Sequence, residues 1–266
     1  MIRLGTDIIT QETFGDNALK TKFPQFPMTH TITWNYESDA ELFTLICLVR
    51  HYHWVKDFVL RMPYVPHARM DRVKNPEDVF TLKYFCEVIN SLNFFEVIID
   101  DPHSEVCVAL LNNVRVHTPE VNVKRVIEMI DDKTLMMFYP DKGAMKRYDG
   151  MLNLDYAYGE KRRNWETGRI EGLDIVGAEK IEGRAVLIVD DICSYGGTFA
   201  RAAKALKEVG ADNIYLYITH CEDNIHKGDI FKDGLIETVF TTDSIYTGKN
   251  DNTGGVVVLE NVSAVR

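Results

Sequence analysis

Long apolar runs are missing from this sequence. No stretch approaches the roughly 20 residues a membrane-spanning helix needs, so no membrane partner is expected. Basic residues are also in deficit: 30 Lys and Arg stand against 40 Asp and Glu, a formal net charge of -10. A chain of that sign has no bulk attraction for nucleic acid or an anionic bilayer, so nucleic acid is not an expected partner either. It can still hold a phosphorylated ligand through local amides, cations and metal ions. The cysteines Cys47, Cys86, Cys107, Cys193 and Cys221 are odd in number and widely spaced, and no C-x-x-C occurs. Reduced thiols are the expectation. The first residues lack the charged-then-apolar order of a leader peptide. A cytoplasmic location is therefore expected. Internal repeats and low-complexity linkers are absent too.

What is present is an ordinary globular composition, 45% hydrophobic and 26% charged over 266 residues. That length suits one large α/β domain or two small ones. Short runs rich in Val and Ile predict strands at Ile32–Tyr36, Phe58–Pro63, Val97–Asp100, Leu135–Tyr139, Ala185–Asp190, Asn213–Thr219, Thr238–Thr241 and Val256–Leu259. Several show no polar alternation, as expected of strands buried on both faces. Ser38 with Glu41 predicts a capping box opening a helix to about Val55. Asn75-Pro76 predicts a helix start running to about Leu92, and Phe199–Val209 a third helix ended by Gly210. Alternation of this kind implies parallel sheets, with ligands beyond the carboxyl ends of the strands.

The segment from Ala185 to Thr198, A-V-L-I-V-D-D-I-C-S-Y-G-G-T, is the strongest chemical signal. An apolar strand runs into two acids, then a small-residue loop, then a helix. Gly196 and Gly197 let backbone amides close around a phosphate. Ser194 and Thr198 add hydroxyl donors, Tyr195 lies beside the phosphate position, and the helix presents its positive end. Asp190 and Asp191 can accept hydrogen bonds from two vicinal ribose hydroxyls or help hold a metal. This segment resembles the phosphoribosyl-pyrophosphate loop shared by phosphoribosyltransferases and ribose-phosphate pyrophosphokinases.

Other segments resemble the pyrophosphokinases alone. Met62 to Arg72 reads M-P-Y-V-P-H-A-R-M-D-R, similar to the family's I-P-Y-x-x-Y-A-R-Q-D-R. Asp101-Pro102-His103 is similar to its D-L-H, and Tyr139 to Arg147 to its S-P-D-x-G-G-x-K-R. Glu160-Lys161-Arg162-Arg163 resembles the start of its mobile catalytic loop. Thr219-His220 and Thr241 to Ile245 follow in the family's order, so the resemblance runs from about Phe14 to Ile245.

The resemblance implies two similar phosphoribosyltransferase-like α/β domains, 1–145 and 146–266, with the active site between them. It implies magnesium as cofactor and ATP as co-substrate, with ribose 5-phosphate as acceptor. Arg69, Asp71, His103, Phe14 and Asp16 would bind ATP. Asp101, His103 and Asp141 would hold magnesium, and Lys161 and Arg163 would act as catalytic cations. Asp190, Asp191 and the loop from Ser194 through Tyr195, Gly196, Gly197 and Thr198 would hold the ribose phosphate. A homo-oligomer, at least a dimer, is implied as well, because the family completes its adenine site from a neighbour.

Two departures open alternatives. The family's F-x-D-G-E appears as Phe14-Gly15-Asp16-Asn17-Ala18, and Met70 replaces a glutamine, which puts the adenine site in question. Tyr195 widens the chemistry open to the phosphate loop, so ADP-ribose, with NAD resynthesis as its context, is a second acceptor to consider. A non-catalytic associated protein or a phosphoribosyltransferase are the remaining alternatives. Retention of Lys161 and Arg163 speaks against the first, and the Arg69 segment against the second.

Overall fold

The computed structural model describes residues 1–163, 170–249, 251 and 254–260, and of residues 161–163 and 170–171 only the backbone. The chain divides into two compact units, Met1–Thr118 and Pro119–Arg266.

The first unit opens with β1 (Ile2–Leu4), β2 (Asp7–Ile9), β3 (Gln11–Thr13), β4 (Leu19–Thr21) and β5 (Thr31–Trp34). It continues with α1 (Ala40–His51), β6 (Val59–Met62), α2 (Thr81–Ser91), β7 (Glu96–Asp100), α3 (Glu105–Leu110) and β8 (Val114–His117). Its main sheet has the order β2-β1-β5-β6-β7-β8, while β3 and β4 pair by themselves. From β5 to β8 the pairing is parallel, and β1 and β2 add antiparallel strands at one edge. Ile32, Trp34, Leu60, Met62, Val97 and Ile99 alternate inward along their strands, onto Leu45 and Leu48 of α1 and Leu82, Phe85 and Ile89 of α2. Each such side chain contributes about 1.5–3 kcal/mol over an exposed one.

Both expected helix starts move. Helix α1 begins after Asp39, not Ser38, because Glu41 serves the residues before it: its Oε2 accepts from the amides of Glu37 and Ser38 and from the Trp34 indole at 2.9 Å. Asn75-Pro76 opens a turn in place of a helix. Asp78 Oδ2 accepts from the Lys74 and Asn75 amides there, and α2 starts only at Thr81.

The second unit comprises α4 (Glu120–Ile130), β9 (Met136–Tyr139), α5 (Lys142–Tyr148), β10 (Tyr156–Arg163), β11 (Ile170–Val176), β12 (Val186–Cys193), α6 (Gly197–Glu208), β13 (Ile214–Cys221), β14 (Thr238–Thr242) and β15 (Val256–Leu259). Its sheet runs β11-β10-β9-β12-β13-β14-β15, parallel throughout except for the β10–β11 hairpin. The apolar run of β12 is buried on both faces. Val186 and Ile188 pack with Phe199, Ala202, Ala203 and Leu206 of α6, whereas Leu187 and Val189 pack with Val123 and Val126 of α4. The division between units therefore falls before α4, earlier than the expected 145/146. Strand β9 pairs with β12, and α4 covers one face of the same sheet, so both belong to the second core.

Candidate functional site

In parallel sheets, side chains at the carboxyl ends of strands and on the loops that follow are free to meet ligands. In the first unit that edge is a network of charge. Asp100 closes β7 and is buried, with Arg61 of β6 at 3.2 Å on one side and Nδ1 of His117 at 3.1 Å on the other. Asp101 then turns the chain away with a φ of 39°, a left-handed conformation that aspartate tolerates, and donates its amide to the His117 carbonyl. The turn continues through His103 to Ser104, which caps α3 by accepting from the Val106 amide.

Ser104 also joins this turn to the Met62–Arg72 loop. Its hydroxyl donates to Asp71 at 2.6 Å, and Arg72 donates to both oxygens of the same carboxylate at 2.6 and 2.8 Å. The Arg72 guanidinium, and then the Ser104 hydroxyl, hold the Asp71 carboxyl down at about 2. Asp71 thus ties the loop to the turn, and Arg69 and Met70, just before it, are exposed. His67, also left-handed, reaches Asp39 at 3.0 Å. Phe14 and Asp16 lie on the small β3–β4 ribbon: Phe14 is exposed with Lys20 over its ring, and Asp16 closes the turn by accepting from the Ala18 amide.

In the second unit, Asp141 caps α5, its Oδ1 accepting from the amides of Gly143 and Ala144 at 2.9 and 3.1 Å. Asp101 and His103 belong to the first unit and Asp141 to the second. Among the described residues, no three His, Cys, Asp or Glu side chains gather into a metal-holding group. The backbone of Lys161 and Arg163 lies on β10, paired with Leu173 and Ile170 of β11, while their side chains lie outside the described residues. Glu160, just before them, pairs with Lys142.

The aspartate pair of β12 sits differently from the pair of β7. Asp191 is buried and meets Arg147 of α5 at 2.6 Å. Asp190 has no such cation, and burial, then the neighbouring Asp191, push its carboxyl well above the ordinary aspartate value. After Cys193 the chain forms the loop Ser194–Gly196 and enters α6. Gly196 takes a φ of 76° against Ile230, where a Cβ would sit 3.0 Å from that side chain. Tyr195 is 55% exposed, so its ring stands free at the mouth of the loop. Beyond, His220 bonds to Ser244, and both Ser244 and Thr242 donate to the Thr219 carbonyl. These buried bonds fix the ends of β13 and β14 beside the loop.

One participant was not foreseen. Glu222, directly after β13, accepts the Ser194 hydroxyl at 2.6 Å and the Asn224 amide at 3.1 Å. The register that places Cys193 opposite Cys221 brings these residues together, and no local motif marks it.

Residues 151–246 match the family model described as phosphoribosyl transferase domain. The ribose-phosphate pyrophosphokinase of Thermococcus kodakarensis is 32% identical over 189 residues, covering 68% of this chain and 61% of that protein. The Vibrio parahaemolyticus protein of the same name is 28% identical over 213 residues, covering 76% and 65%. The chain thus spans less than two thirds of the length of these curated relatives. The crystal structure of phosphoribosylpyrophosphate synthetase from Mycobacterium smegmatis shares the fold, with a TM-score of 0.76 over 95% of this chain and 86% of that one at 16% identity. With two α/β units of phosphoribosyltransferase type and these relatives, the chain belongs to the ribose-phosphate pyrophosphokinase family.

Proposed function

We propose that this protein is a diphosphokinase, moving the β,γ-pyrophosphoryl group of ATP to the C1 hydroxyl of ribose 5-phosphate and releasing AMP and phosphoribosyl pyrophosphate. The observation that carries this reading is the presence in one chain of a ribose-phosphate loop on β12–α6 and a second α/β unit. The sheet edge of that unit bears Arg69, Asp101 and His103.

The second unit handles the acceptor. Asp190 and Asp191 receive the ribose hydroxyls, and the amides of Tyr195 to Thr198 at the start of α6 take the 5-phosphate. Arg147 keeps one of the two aspartates charged in the absence of ligand. The first unit handles ATP: Arg69 meets its phosphates, with Asp71 and Ser104 holding the loop that carries it. Phe14 and Asp16 offer an exposed ring and a carboxylate for adenine, completed by a second copy of the chain in at least a dimer.

Asp101 and Asp141 offer the hard oxygens that magnesium prefers, and a site of few protein ligands suits an ion that keeps its waters and leans on substrate phosphates. When bound, it neutralises charge on the ATP oxygens. Lys161 and Arg163 follow the family pattern for the cations that stabilise the transferring group. Phosphoryl transfer of this type rests on positioning and charge stabilisation, with no covalent enzyme intermediate.

The test is AMP release from ATP and magnesium, with ribose 5-phosphate and ADP-ribose offered separately. Release dependent on either acceptor supports the diphosphokinase reading. Release with neither sinks it and favours a transferase or a non-catalytic binding protein. Lys161→Ala should lower kcat by about two to three orders of magnitude with little change in acceptor KM, as expected of a group that acts mainly in the transition state. An unchanged kcat removes Lys161 from the mechanism.

A further inference from the structure

Three consecutive loop residues lean on one segment, 222–230. Ser194 bonds to Glu222, Gly196 packs on Ile230, and the Tyr195 carbonyl lies so close to Gly228 that a Cβ there would fall 1.8 Å from its oxygen. This segment forms one wall of the phosphate loop, and it brings a carboxylate to the loop's first residue. A serine hydroxyl has a single proton, and here it goes to Glu222. Toward a ligand, Ser194 is left with lone pairs. Asn224 donates to the same Glu222 oxygen, so Glu222 is an acceptor in both contacts.

The other charged groups near this wall leave that carboxylate in place. Lys227 is directed to Asn224 at 2.9 Å, and Asp223 is engaged by Thr247 and the Gly248 amide. Arg201 lies on α6 beside Gly197, where its guanidinium would be 3.6 Å from a Cβ.

A terminal phosphate monoester carries about -1.5 to -2 at neutral pH, whereas a phosphate esterified on both sides carries a single negative charge. Resting on the acceptor reading above, we propose that Glu222 is a specificity-determining residue. Through Ser194 it disfavours a terminal 5-phosphate and favours a ribose whose 5-phosphate continues through a diphosphate to a nucleoside, with Tyr195 at the mouth for the extension.

Calorimetric titration of wild type, Glu222→Gln and Ser194→Ala with ribose 5-phosphate and with ADP-ribose tests this. Glu222→Gln should tighten ribose 5-phosphate about tenfold, the scale of one partly screened charge, and leave ADP-ribose within about twofold. A merely structural role would move both ligands together. Ser194→Ala, which breaks the link without removing the charge, should shift the same ratio less. An unchanged affinity ratio in Glu222→Gln overturns the proposal while leaving the acceptor reading intact. A wild type that binds neither compound overturns both.

Discussion

Each unit ends a parallel strand with two consecutive aspartates, and the two pairs are held in opposite ways. At Asp100–Asp101, the first carboxylate lies between Arg61 and His117, and the chain turns off the sheet at the second. At Asp190–Asp191 the backbone stays in the strand. One carboxylate has Arg147, and the other sits against its own neighbour with its protonation favoured by burial and repulsion. The first arrangement is balanced within the protein. The second carries an unmet electrostatic demand, which a diol or a cation could satisfy. That is the signature of a ligand-facing pair, since titratable groups pushed off their ordinary values gather at functional sites.

The largest expected difference comes from removing the arginines. Arg147→Met should cost about 3 kcal/mol of unfolding free energy, because Asp191 is then left buried beside a second carboxyl with its principal cation gone. Arg61→Met should cost about 1 kcal/mol, since Asp100 retains His117. Urea denaturation of both variants checks the order, and equal losses would break the comparison.

Acid sharpens it from another side. Asp71 falls from an ordinary 3.8 to about 2 because of Arg72 and Ser104. A folded value below the unfolded one gives stability that is complete above the unfolded value and lost as pH falls through the folded one. Between pH 5 and 2, the wild type should lose about 2 kcal/mol more than Asp71→Asn. Parallel acid curves would mean that this carboxylate adds nothing to the tie between loop and turn.

The order β12, phosphate loop, α6 was legible because local chemistry alone dictates it. Four apolar residues in succession demand burial on both faces, and two glycines before a helix demand a tight turn. The Met62–Arg72 loop and the D-x-H turn were legible as motifs, but the joint between them, Ser104 on Asp71, was not, since it spans two elements of separate sequence position. Strands β1 and β2 are three residues each, too short to show a period. The run Glu160–Arg163 reads as a solvated loop, yet its backbone pairs with β11. Glu222 was invisible for a related reason: only the register of β12 on β13 sets it against Ser194. What sequence conveys poorly here is partnership across strands.

The smallest expected effect is the most pointed. The carboxyl of Asp190 titrates above its ordinary value, so its slope is opposite to that of Asp71. A folded value above the unfolded one gives stability present below the unfolded value and lost as pH rises through the folded one. At neutral pH, therefore, the free protein carries a penalty at this position. Asp190→Asn keeps the shape and removes the charge, so the free variant should unfold at a slightly higher denaturant concentration than wild type at pH 7, with the gap closing toward pH 4. The same substitution takes away a hydrogen-bond acceptor for the ribose hydroxyls and should raise acceptor KM by about tenfold or more. A residue that only stabilised the fold could not improve stability on removal while harming binding. If Asp190→Asn instead weakens the free protein at pH 7, the β12 pair is as balanced as the β7 pair, and the difference between the two strand ends disappears.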